Sequence, residues 1–135
     1  MDTEPVYSAG CPSRTVVDVL ANKWVLYVLD LLGQAERPLR FTEVRRAVEG
    51  VTQKSLTKTL RTLERDGLVD RRVHATVPPR VEYRLTGLGR EIGPLLGAID
   101  DWAKRNADTV VAARASFDAA APTEAVPATE WTSRV

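Results

Sequence analysis

The chain has 135 residues, 44% of them hydrophobic, and no apolar run near the roughly 18 residues of a membrane span, so one ordinary domain without a membrane partner is expected. One cysteine, Cys11, excludes an intramolecular disulfide and any cysteine-rich zinc site. The formal net charge of +1 is unevenly divided: Arg37 to Arg90 holds 13 Lys/Arg against 6 Asp/Glu, a surplus of +7, and the remainder holds 6 against 12.

A basic centre between acidic ends points to a polyanion met by the middle of the chain, although charge alone suits a solvated helix face equally well. Residues 1–10 lack periodicity and contain Pro5 and Gly10, as a mobile arm would. Their acidic start has no signal-peptide pattern, so a cytoplasmic protein is expected. A first helix follows Cys11-Pro12, with Ser13 as its expected N-cap and Val16, Val17, Val19 and Leu20 on its apolar side. After a break near Asn22, the segment KWVLYVLDLLG carries a wide stripe of Trp24, Val25, Val28, Leu29 and Leu32. Gly33 is the expected stop.

Pro38 blocks helix continuation, and the next helix begins near Phe41, burying Phe41, Val44 and Val48. Glu49-Gly50-Val51 reads as a turn with glycine in the left-handed region, and Thr52 as the cap of a helix running to about Asp66. Leu56, Leu60 and Leu63 share one face of that helix. The opposite face carries Gln53, Lys54, Thr57, Lys58 and Arg61, which are amide, hydroxyl and cationic groups with no carboxylate. Such a set suits base edges and phosphates in a major groove. Two helices joined by a short glycine turn make the two-helix DNA-reading motif, though alone they suit an ordinary helical hairpin as well.

Asp66-Gly67 ends the helix, and a hairpin follows in which Val81, Tyr83 and Leu85 alternate with Glu82 and Arg84. Pro78 and Pro79 belong at its tip. Arg72, His74 and Arg80, with Arg40 before the motif, form a candidate set of wing and flank contacts to a minor groove or phosphates. His74 is the only histidine, so no metal site is expected. Thr86 is the expected cap of one long last helix, bent at Pro94, with Ile92, Leu95, Leu96, Ile99 and Trp102 at helical spacing. With Val16 and Leu20 of the first helix, these form a candidate homodimer face, and Gly89, Gly93 and Gly97 would allow close helix approach. Residues 119–135 are Pro/Ala/Thr-rich, as a disordered tail would be. The expected fold is mainly α with a small β-hairpin: a winged helix-turn-helix over residues 11–118, flanked by dimerisation helices.

Cys11-Pro12, Lys23-Trp24 and Arg40-Phe41-Thr42-Glu43 stand in an order that resembles the HxlR-type transcriptional regulators. So do Leu56-Thr57-x-x-Leu60-Arg61-x-Leu63-Glu64-x-Asp66-Gly67-Leu68-Val69 and Pro79-x-Val81-Glu82-Tyr83-x-Leu85-Thr86-x-x-Gly89, with Trp102 beyond. The likeness covers residues 11 to about 105. It implies a homodimeric winged-helix regulator, related in architecture to MarR-type proteins, binding double-stranded DNA at an inverted repeat without a cofactor. Several such regulators sense electrophiles or oxidants through a cysteine at the position of Cys11, and a helix start with Arg14 nearby favours a thiolate. The alternatives are an idle Cys11 with a non-covalent small-molecule effector, and a winged-helix module that binds only protein. Nothing in the sequence supports an enzyme: Gly87-x-Gly89-x-x-x-Gly93 has the wrong spacing for a dinucleotide loop.

Overall fold

Thr59, Leu56, Leu60 and Leu63 are buried in the computed structural model, which describes residues 8–120 and residue 125. They belong to α4, Gln53–Arg65, the helix about which the first unit of the chain is packed. Before it come α1 (Pro12–Leu20), α2 (Lys23–Gln34), the two-residue strand β1 (Leu39–Arg40) and α3 (Phe41–Ala47). After it come β2 (Val69–His74), β3 (Arg80–Leu85), α5 (Gly87–Glu91) and α6 (Gly93–Ala119). The described residues divide between Ile99 and Asp100 into two units. The first seven residues of the expected arm and the expected tail from 121 on, Ala125 apart, lie outside the described residues.

The local chemistry explains the element ends. The Thr52 hydroxyl accepts from the Ser55 N–H at 3.0 Å, satisfying one of the orphan donors of α4. Gly50 and Gly67 bracket the helix at φ 87° and 76°, backbone that a side chain would strain. The core unites Val25, Val28, Leu29 and Leu32 of α2 with Val44, Val48, the α4 leucines, and Val69, Tyr83 and Leu85 of the sheet. Trp24 is half-buried at its edge, its ring T-shaped to Tyr27 at 6.1 Å.

Several expected boundaries are corrected. Cys11, not Ser13, is the N-cap of α1, because Pro12 at the first helical position needs no N–H partner there. Gly33 lies within α2, which ends at Gln34; its missing Cβ faces Leu85 Cδ1, so it serves helix–sheet packing. The hairpin is the larger part of a three-stranded antiparallel sheet ordered β1-β3-β2, with Leu39 opposite Tyr83 and Arg40 opposite Glu82. Thr86 caps the short α5 rather than one long helix. The chain breaks at Ile92, and Pro94 falls in the first turn of α6, where its missing N–H costs nothing.

The glycine series also acts differently from expectation. A Cβ on Gly89 would stand 2.1 Å from Leu68 O, so this glycine lets α5 approach the start of β2 within the same chain. Gly93 and Gly97 have nothing within 4 Å of that position. Thr86 fastens the same corner, its hydroxyl donating to Gly67 O at 2.6 Å and accepting from the Gly89 N–H at 3.1 Å.

Candidate nucleic-acid interface

Burying Leu56, Leu60 and Leu63 turns the other side of α4 to solvent, and Gln53, Lys54, Thr57, Lys58 and Arg61 are all exposed there with Thr52 at the helix start. Thr62 and Arg65 continue the same patch toward the C-terminus. Among the described residues, none of the ion pairs involves Lys54, Lys58 or Arg61, so no carboxylate competes directly for these cations. Arg61 and Glu64, one turn apart, are not joined.

Around one carboxylate on the outer face of the sheet gather the four wing and flank residues. Register places Arg40 of β1 and Arg72 of β2 on either side of Glu82 in the central strand. His74 Nε2 lies 3.2 Å and Arg80 Nε 2.8 Å from Glu82 Oε1, the latter an ion pair without the alignment of a hydrogen bond. Arg84 meets Asp70 at 3.4 Å on this face. The outer face is therefore a mixed-charge network, with Arg72 and Arg40 its cations outside these ion pairs.

Sequence reasoning missed Arg71. It stands opposite Tyr83, on the sheet face turned toward α4, and lines a depression of ≈ 590 Å³ with Gln53, Thr57, Arg61 and Glu64 over a floor that includes Phe41, Leu60 and Val81. The signal was present: Val69-x-Arg71-x-Val73 alternates, and Val69 is core.

The Arg37 guanidinium fixes the motif's first helix by pairing with both carboxylate oxygens of Glu43. Glu43 Oε1 also accepts from the Arg40 N–H at 3.1 Å, closing the start of α3. The Arg37 hydrogen bond, then that of the Arg40 N–H, lowers the Glu43 pKa to about 2.

Cys11 is half-buried, its Sγ 2.9 Å from Ser13 Oγ. That contact, then the backbone N–H groups of Ser13 and Arg14, holds the thiol below its ordinary value. Of the expected dimer residues, Val16, Leu95, Ile99 and Trp102 are each more than half exposed, and Leu20 and Ile92 pack partly on the core. Leu96 departs from expectation. At 5% exposure it is part of its own chain's core and is withdrawn from any partner. No helix among the described residues is long and apolar enough to cross a membrane, and none of their His, Cys, Asp or Glu residues group in threes to hold a metal.

A helix pair whose second helix exposes Lys54, Lys58 and Arg61, followed by a small antiparallel sheet, defines a winged helix-turn-helix protein. The family model described as HxlR-like helix-turn-helix matches residues 19–111, and the chain belongs to that family. It is 36% identical over 109 residues to YtfH, an HTH-type transcriptional regulator of Escherichia coli K12, covering 81% of this chain and 85% of that one. Its fold is similar to a solved transcriptional regulator YtfH from Salmonella typhimurium, with TM-score 0.73 and 35% identity over 82% of this chain and 96% of that one. It is also similar to the redox regulator HypR in reduced form, with TM-score 0.68 and 36% identity, and in oxidized form, with TM-score 0.64 and 38% identity. The two HypR comparisons cover 76% and 71% of this chain, and 99% and 97% of those chains. The protein is a DNA-binding transcriptional regulator of HxlR/MarR type, not an enzyme.

Proposed function

We propose that this regulator is a homodimeric repressor that binds an inverted-repeat operator through α4 and leaves it when Cys11 reacts with an electrophile or oxidant. The observation that carries the DNA-reading part is the exposed outer face of α4, where Lys54, Lys58 and Arg61 stand outside every ion pair among the described residues. In this reading Gln53, Lys54, Thr57, Lys58 and Arg61 enter the major groove, with Thr52 close to a phosphate. Arg40 and Arg72 supply flanking backbone contacts, while His74 and Arg80 are held by Glu82 and contribute less. A two-fold pair sets its reading helices about 34 Å apart, on successive major grooves. Self-pairing is supported by the exposed apolar side chains Val16, Leu95, Ile99 and Trp102, and in this reading residues 11–118 make up the DNA-binding and dimerising part of the chain.

Sensing is supported by the lowered thiol pKa and by the likeness to HypR, described as a redox regulator in oxidized and reduced forms. The Cys11 thiolate would add to an electron-poor carbon of a quinone. Alternatively, two Cys11 thiols, one from each copy, would lose two electrons and two protons to an oxidant such as diamide and form an intersubunit disulfide. A mobility-shift titration against the DNA upstream of its own gene tests the reading. Binding should fall steeply with salt, and Lys58→Ala or Arg61→Ala should weaken it about tenfold or more. Diamide should release the parent but not Cys11→Ser. Undiminished binding by both α4 variants would refute the reading face, and equal release of Cys11→Ser would refute the thiol switch.

A further inference from the structure

We infer that Arg71, at the base of the wing, is a nucleic-acid contact, and that it rather than His74 or Arg80 extends the α4 surface along the duplex. The inference rests on the α4 reading and adds to it a residue on a different element. Two neighbouring arginines on β2 meet opposite fates because successive side chains leave opposite faces of a strand. Arg72 projects onto the outer face, where Glu82 already engages His74 and Arg80, and Asp70 engages Arg84. Arg71 projects onto the inner face beside Tyr83, and the depression it lines includes Gln53, Thr57 and Arg61 of the reading face.

Arg71 is exposed, and none of the ion pairs among the described residues includes it. It lines the depression together with Phe41, Leu60, Val81 and Tyr83, apolar and aromatic groups along which an arginine stem can lie while its charged fork stays hydrated and open to a phosphate. Glu64 lines the same depression and is not paired with Arg71, which leaves the Arg71 guanidinium available to a phosphate. The wing tip has no comparable group. Ala75 to Pro79 carries no cation, and Val77 at the tip is fully exposed.

Fluorescence anisotropy against two duplexes, the region upstream of its own gene and a scrambled sequence of equal length, tests the inference with Arg71→Gln, Arg84→Gln and Lys58→Ala. Each change removes one positive charge. Arg71→Gln should weaken both duplexes by about five- to twentyfold and reduce the slope of log Kobs against log salt by about one. Arg84→Gln, on the outer face beside Asp70, should change binding by less than about twofold. Equal losses in Arg71→Gln and Arg84→Gln would mean net charge alone and overturn the inference. So would parental binding by Arg71→Gln, and in that case a weakened Lys58→Ala leaves the α4 reading standing. If Lys58→Ala also binds like the parent, both fail together. Matching far-ultraviolet circular dichroism and melting of the variants keeps folding out of the comparison.

Discussion

Glu43 shows how one side chain holds the DNA-reading motif in shape. Its carboxylate joins Arg37, before the motif, to the Arg40 N–H at the start of α3. Because its folded pKa lies at about 2, below the ordinary carboxylate value of 4.5, its contribution is complete above that ordinary value and fades as pH falls toward 2. Carbon-detected NMR titration should find the Glu43 midpoint near 2 in the parent and raised toward 4.5 in Arg37→Ala. Coincident midpoints would show that the pair does not form in solution. Gly89 makes a second prediction at this scale. A methyl group there would meet the Leu68 carbonyl, so Gly89→Ala should destabilise the fold by about 1–3 kcal/mol in urea unfolding. Gly93→Ala, with open space around it, should be neutral or slightly stabilising; equal losses at the two sites would deny the close approach of α5.

At the scale of the element, α4 separates stability from recognition on its two sides. Leu60→Ala should cost about 2–5 kcal/mol of unfolding free energy, since Leu60 is 2% exposed and leaves a cavity. Lys58→Ala should leave stability within about 0.5 kcal/mol while weakening operator binding. A large stability loss in Lys58→Ala would mean that its side is packed rather than presented. This division was legible in the sequence because a 3.6-residue period fixes which residues share a side, and Thr52 and Gly67 mark the ends. The surroundings of Glu82 were not legible. They depend on which β3 residue faces Arg40 and Arg72, and register across three strands is not written in any one of them. β1, with only two residues, is too short for an alternation to show. The break at Ile92 was masked because the apolar spacing continues across it, while Pro94 suits a helix start as readily as a bend.

At the scale of the whole molecule, the middle of the chain holds the positive surplus and the termini the negative one, which confines attraction for DNA to the winged helix-turn-helix. The exposed Leu95 and Ile99 are the side chains on which self-pairing depends in our proposal. Sedimentation equilibrium should give twice the chain mass for the parent and a single chain mass for Leu95→Asp and Ile99→Asp. A monomeric parent at micromolar concentration would contradict pairing. The account as a whole depends on α4 presenting its cationic side to the duplex. Amide chemical-shift mapping during titration with the DNA upstream of its own gene tests that most directly. The account predicts the largest, salt-sensitive changes at Lys54, Thr57, Lys58 and Arg61, with Arg71 joining them. Saturable binding that leaves those amides unmoved, and perturbs other surfaces instead, would contradict it.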